Sequence, residues 1–179
     1  MDLPESSISA VGGEDCLRLD YWILLGVWVL SFLLLFLIPR DRRRLALIAF
    51  LFKQSITYLL GLVAVEYGLL EYPVRELASV NRTSFTYEFM AYPVICALFN
   101  VYYPAEGSRL RKMLYYASFC TGLTIPEVLL ERYTDLVRYI HWHWWTTWLS
   151  LLMAFFATRS FCVLFFKNIN SKAKQPKSP

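Results

Sequence analysis

Cysteine is scarce in this sequence and follows no metal-binding spacing. The four cysteines are Cys16, Cys96, Cys120 and Cys162, and no two of them form a C-x-x-C pair. Zinc sites need ligands paired at short spacing, and disulfide-stabilised domains need a denser set of cysteines. The sequence supports neither, and the three cysteines within apolar runs are predicted to be buried, unreactive thiols.

Recognised catalytic and nucleotide-binding motifs are also lacking. The chain contains no G-x-S-x-G elbow, no Walker A motif and no Rossmann glycine pattern. His141 and His143 form an H-x-H pair, but no acidic ligand stands at a fixed spacing from it, so neither a metal nor a cofactor is predicted. The net charge of +4 comes from basic residues that flank apolar runs, which argues against nucleic-acid binding.

Apolar residues, by contrast, are abundant. They make up 57% of the chain, compared with about 45–50% in an ordinary soluble domain. They fall in runs of about 20 residues, the length that a helix needs to cross a bilayer. The predicted spans are residues 21–38, 45–70, 84–103, 113–130 and 144–166. The sequence therefore predicts an all-α integral membrane bundle of five transmembrane helices.

Lysine and arginine cluster in alternate connections between these runs. Eleven of the 18 lie in three segments, at residues 40–44, 109–112 and 167–177. Because loops rich in Lys and Arg stay in the cytoplasm, the N-terminus is predicted to lie outside and the C-terminus inside. The predicted parts are an acidic extracytoplasmic segment (1–18), a transmembrane domain (19–166) and a basic cytoplasmic tail (167–179).

Two basic side chains, Lys53 and Arg159, lie inside the apolar runs, towards the predicted cytoplasmic side. A charged residue within a span costs about 2.5–3.5 kcal/mol on an insertion scale. Long basic side chains reduce this cost by reaching the headgroups, and arginine can bind a phosphate through two hydrogen bonds. Both residues are therefore predicted to bind lipid phosphates.

Acidic residues occupy the opposite side of the predicted bilayer. Glu66, Glu88 and Glu127 lie towards the outer ends of their spans, and Glu131 lies just beyond. Glu127 and Glu131 share a helix face, where like charges repel unless a proton, a cation or water compensates. Two interpretations stay open: carboxylates that pair with Arg and Tyr and orient the helices, or an outward-facing acidic and aromatic pocket. For the second, these four glutamates and Tyr139 are the predicted ligand-binding residues.

Proline interrupts two of the predicted spans. Pro93 and Pro126 have no N–H to donate, so they free the carbonyls of Phe89 and Gly122 four residues earlier. A freed carbonyl within a bilayer needs another partner. Each proline therefore predicts either a packing kink or a carbonyl that lines a polar cavity.

Five sequence runs form a recognisable set: EYPVREL, TSFTYEF, YP, FNVYYP and PEVLLERYTDLVRYIHWHWWTTW, at residues 71–77, 83–89, 92–93, 99–104 and 126–148. They resemble motifs of a family of small five-helix membrane proteins from spore-forming Bacillota. The resemblance covers about residues 55–150, and the last run is the most specific. It implies a multi-pass protein of a bacterial plasma membrane. It supports Glu88, Glu127, Glu131 and Tyr139 as motif positions and supplies no reaction.

Three functions remain open. The first is a non-enzymatic protein that binds membrane lipids, another membrane protein or a second copy of itself through the acidic and aromatic pocket. The second is an intramembrane enzyme acting on lipid headgroups or lipid-linked substrates at the outer leaflet, with Glu127 as general base and Glu88 and His141 assisting. The third is a carrier or sensor of cations or protons that uses Glu66, Glu88 and Glu127.

Overall fold

The protein is a bundle of helices. A computed structural model describes residues 6–173 of the chain, with side chains described for residues 19–169. The described α-helices are α1 (Ser6–Phe36), α2 (Arg43–Glu66), α3 (Tyr92–Val101), α4 (Arg109–Tyr133) and α5 (Trp144–Ala173). A 3-10 turn (Arg40–Arg42) precedes α2, a π-helix (Thr86–Ala91) leads directly into α3, and two short strands are β1 (Leu70–Glu71) and β2 (Arg138–Tyr139).

Four helices are long and apolar enough to cross a membrane. These segments are Leu19–Phe36, Arg40–Glu66, Arg109–Tyr133 and Trp144–Ile169. They confirm the predicted all-α class, and their length and composition fit a membrane protein. The third predicted span, residues 84–103, is different. It consists of the π-helix followed by the ten-residue α3 rather than one long helix.

This short segment lies at the centre of the bundle, packed against α1, α2 and α5. Its buried residues in α3 are Pro93, Val94, Cys96, Ala97, Leu98, Phe99, Asn100 and Val101. Burial on all sides explains why its sequence is apolar without the length of a span. Cys96, Cys120 and Cys162 are buried and free, as predicted, whereas the side chain of Cys16 lies outside the described residues.

One end of the bundle gathers the basic connections, and we call it the basic end. Arg42, before α2, donates a hydrogen bond to the carbonyl of Val101 at the end of α3 (2.5 Å). Tyr102 donates to the carbonyl of Leu37, just after α1 (2.5 Å). These contacts bring the turn at residues 37–42 against the connection between α3 and α4.

Glu66, Glu71, Glu131 and Asp135 lie at the opposite end of the bundle, which we call the acidic end. There β1 and β2 join two connections. The strands are antiparallel, with Leu70 opposite Tyr139 and Glu71 opposite Arg138. From its sequence, the segment 131–142 could extend the fourth span or form an interfacial helix, and the structure shows neither for most of it. The helix ends at Tyr133, and the chain then pairs with β1, which satisfies its backbone groups.

Two predicted segment boundaries also shift. α1 begins at Ser6, so most of the predicted acidic segment is helical and continuous with the first span. α5 continues to Ala173, so the predicted basic tail begins as a helix. Residues 1–5 and 174–179 lie outside the described part of the chain.

Candidate functional site

Glu127 of α4 is the best-connected carboxylate in the bundle. It accepts hydrogen bonds from the hydroxyls of Tyr92 (2.6 Å), Tyr139 (2.7 Å) and Thr147 (2.8 Å). Among the ion pairs of the described residues, none involves Glu127. Its carboxyl group is therefore held by three neutral donors that come from three different elements, α3, β2 and α5.

The donors of Glu127 are themselves fixed. The indole of Trp142 donates to the Thr147 hydroxyl (2.8 Å), and β2 holds Tyr139 against β1. Burial raises the pKa of Tyr139 far above its usual value, and the nearby Glu127 charge raises it further. Burial also raises the pKa of Tyr72, with a smaller contribution from Glu88. Both phenols consequently keep their protons at neutral pH and remain hydrogen-bond donors.

A cavity of about 230 Å³, which we call the polar cavity, opens beside Glu127. Its α2 wall is formed by Lys53, Thr57, Gly61 and Ala64, whose spacing places them on one helix face. Glu88, Tyr72, Tyr92, Trp142, Thr147, Ser150 and Ala154 are among the other lining residues. The cavity thus brings together one amine and two carboxylates from three elements.

Glu88 reaches this cavity from the π-helix. It is only 2% exposed, and its Oε2 atom is buried without a hydrogen-bond partner among the described residues. The carboxylate packs against Gly61 so closely that a Cβ atom there would overlap it. π-Helices are often found at functional sites, because the extra residue redirects the side chains of one turn.

Lys53 is placed differently from the prediction. It is 2% exposed and lines the polar cavity, whereas a lysine that reaches the headgroups would end at the protein surface. Its Nζ atom lies 5.9 Å from the ring centroid of Tyr92 and 5.5 Å from that of Phe155. No carboxylate within the described part of the chain forms an ion pair with it.

A second cavity, of about 290 Å³, shares Tyr72, Tyr92 and Glu127 with the first. We call it the apolar cavity because its other walls are mainly hydrocarbon: Val27, Leu30, Leu34, Ala91, Ile95, Leu123, Leu130 and Val137. It lies between α1 and α4, which are not among the helix pairs in substantial contact. Gly122 and Pro126 also line it, so the second predicted proline borders a cavity.

The carbonyl that Pro93 frees has found a partner. The side-chain amide of Gln54 on α2 donates to the carbonyl of Phe89 (3.3 Å). This hydrogen bond joins α2 to the π-helix at Phe89, the residue that follows Glu88 in the sequence. The freed carbonyl is therefore bonded to α2, and Phe89 lines neither cavity.

The remaining predicted site residues lie outside both cavities. Glu66 forms an exposed ion pair with Arg82 (3.1 Å). This pairing agrees with the first of the two interpretations of the acidic residues, in which carboxylates pair with Arg and Tyr and orient the helices. His141 is exposed, with its Nδ1 atom 3.3 Å from the carbonyl of Gly68. Glu131 lines neither cavity. Of the predicted acidic set, the structure therefore brings only Glu88 and Glu127 together, with Tyr139 alongside.

Sequence reasoning missed Tyr92, Thr147 and Tyr72 as site residues. Tyr92 belongs to the YP motif, in which the proline is the more conspicuous residue, and Thr147 lies in a run of tryptophans. Hydroxyls that bind a carboxylate carry no charge signal and follow no spacing rule.

Comparisons with protein-family models, with curated proteins and with solved structures give no match. The resemblance to the Bacillota family therefore rests on its motifs alone and remains a proposal. The site has to be interpreted from its own geometry.

Proposed function

We propose that this chain is an integral membrane protein that binds a lipid-like, amphipathic molecule between its helices. The observation that carries the proposal is the position of Glu127, which borders the polar cavity on one side and the apolar cavity on the other. An amphipathic ligand matches this pair of neighbouring spaces. Its polar end fits beside Glu127 and its hydrocarbon part fits between α1 and α4.

The polar cavity favours a headgroup that donates hydrogen bonds. Glu88 contributes a buried carboxyl oxygen without a partner, and that oxygen can accept a hydrogen bond from a ligand. A buried acceptor left unpaired costs about 1–3 kcal/mol, and a ligand with an ammonium or hydroxyl group would remove that cost. We infer a headgroup carrying one of these groups.

Access is proposed from the lipid phase rather than from water. The apolar cavity lies between α1 and α4, which are not in substantial contact, and its walls include leucine, isoleucine and valine side chains. A hydrocarbon chain moving through this gap stays in an apolar environment, so it exposes no surface to water on the way in. The strands β1 and β2, meanwhile, join the connections at the acidic end.

The direct test is Glu127→Gln, which keeps the size of the side chain and removes its charge. Native mass spectrometry of the protein in a detergent with added phosphatidylethanolamine should show the bound lipid reduced about tenfold in the variant, as expected when a charge-assisted hydrogen bond is lost. Phosphatidylcholine, whose headgroup donates no hydrogen bond, should bind the wild type more weakly.

Glu66→Gln is the matched control, because it removes the same charge from an exposed pair outside both cavities. It should bind lipid like the wild type. Equal lipid occupancy in the wild type, Glu127→Gln and Glu66→Gln would contradict the proposed site.

The membrane arrangement is part of the same proposal. We infer a bacterial plasma membrane protein crossing five times, with the basic end in the cytoplasm and the short central segment as the third crossing. Eleven basic residues in three segments support this orientation. Alkaline phosphatase fused after Pro179 should be inactive, and the same enzyme inserted in the connection 72–83 should be active. The reverse pattern would overturn the orientation.

A further inference from the structure

A third cavity, of about 490 Å³, lies at the basic end and belongs to neither of the two described above. Arg42, Arg44 and Arg159 line it with a single carboxylate, that of Asp41. The rest of the wall includes Leu45, Val101, Tyr103, Val163 and Phe166. Three guanidinium groups beside apolar side chains make a surface with a charged part and a hydrocarbon part.

These charges are only partly neutralised. Asp41 pairs with Arg42 (3.7 Å), and Arg42 also donates to the Val101 carbonyl. Arg159 lies over the ring of Tyr103, with its Cζ atom 4.3 Å from the centroid, and neither it nor Arg44 has an ion pair with a described carboxylate. A guanidinium that lies over an aromatic ring can still bind an anion through its N–H groups.

Asn100 supplies an independent indication of a ligand. It lines the cavity, is 2% exposed, and its Oδ1 atom is buried without a partner among the described residues. Its Nδ2 atom donates to the carbonyl of Cys96 (3.0 Å), which fixes the orientation of the amide. The free oxygen can therefore only accept, and it calls for a hydroxyl or N–H donor.

From these contacts we infer that this cavity binds an anionic glycerophospholipid of the phosphatidylglycerol type. The phosphate matches Arg44 and Arg159, a headgroup hydroxyl matches Asn100, and the start of the acyl chains matches Val163 and Phe166. A zwitterionic lipid would bring its ammonium group into a site that already holds three arginines. This site does not depend on the polar cavity or on its ligand.

The test measures lipid affinity by native mass spectrometry of the purified protein titrated with phosphatidylglycerol. Arg159→Gln should weaken binding about tenfold, because a charge-assisted contact to phosphate is lost. Arg109→Gln removes an equal charge from an exposed position at the same end, outside the cavity, and should change affinity less than twofold. Equal effects of the two variants would show a general surface charge and overturn the site.

Two further probes test the class of ligand on the wild type, where folding is not in question. Phosphatidylethanol has the same charge but no headgroup hydroxyl, and it should bind several-fold more weakly. Equal affinity would overturn the assignment of Asn100. Soluble glycerol 1-phosphate at the same concentration should fail to displace the lipid, and displacement by it would overturn a lipid in favour of a water-soluble phosphate.

Discussion

Replacing Lys53 with methionine should raise the thermal stability of the purified protein by roughly 4–8 °C. The side chain is 2% exposed, and its amine has no hydrogen bond or ion pair with the described residues, only the rings of Tyr92 and Phe155. An unpaired polar or charged group in such a place costs about 2 kcal/mol or more. Methionine has a similar length and volume and removes that cost.

Lys167→Met is the control, because Lys167 is an exposed lysine on α5 and its replacement should change stability by less than about 0.5 kcal/mol. The measurement is the unfolding midpoint in one detergent for all three proteins. If Lys53→Met lowers the midpoint instead, the two cation–π contacts stabilise the fold and Lys53 is a structural residue.

A gain in stability would have a functional meaning. Residues that destabilise a fold are retained where they serve binding or catalysis. Lys53, with its amine, and Glu88, with its unpartnered oxygen, both line the polar cavity, and neither fits a purely structural role. The amine of Lys53 can donate only to an acceptor such as the lipid phosphate, so the same Lys53→Met protein should bind phosphatidylethanolamine more weakly although it is more stable.

The long helices could be predicted because they depend on local composition. The predicted run 21–38 ends two residues after α1 does, the run 144–166 begins at the first residue of α5, and clusters of arginine marked the basic end. The central segment was predicted as one long helix because its residues are equally apolar, and the structure divides it into a π-helix and the short α3. Its apolar character comes from packing against three helices, which local composition cannot distinguish from contact with lipid.

The candidate site was predictable only in part. Glu88 and Glu127 were found because a carboxylate in an apolar run is conspicuous, and Tyr139 because it lies in the most specific of the resembling motifs. The structure places the two carboxylates at the polar cavity and Tyr139 in contact with Glu127. The position of Glu66 in its apolar run does not indicate that α2 ends at this residue or that Arg82 lies within ion-pair distance of it. Lys53 was predicted to reach the lipid headgroups because its position in the apolar run indicates its depth in the bilayer. The sequence does not show which face of α2 is turned towards the interior of the bundle, and Lys53 lies on that face.

The close contact between Glu88 and Gly61 leads to a second large effect, in Gly61→Ala. A Cβ atom at this position would lie 2.5 Å from the Cδ atom of Glu88, so the carboxylate has to turn out of its place. Gly26→Ala is the matched substitution in α1, with no atom within 4 Å of the new Cβ. Alanine is favoured over glycine in a helix by up to about 1 kcal/mol, and Gly26→Ala should show that gain.

Gly61→Ala should instead cost about 1–3 kcal/mol, as overpacking does in a well-packed interior. It should also weaken ligand binding in the polar cavity, because the displaced carboxylate enters the space that the ligand needs. The contact itself is isolated by repeating Gly61→Ala in a Glu88→Ala background, where no carboxylate stands in the way. There the substitution should be as favourable as Gly26→Ala, which gives a coupling free energy of about 2 kcal/mol between the two positions. If Gly61→Ala costs the same with and without the Glu88 side chain, the glycine is required by α2 itself, and Glu88 does not occupy the place that the structure gives it.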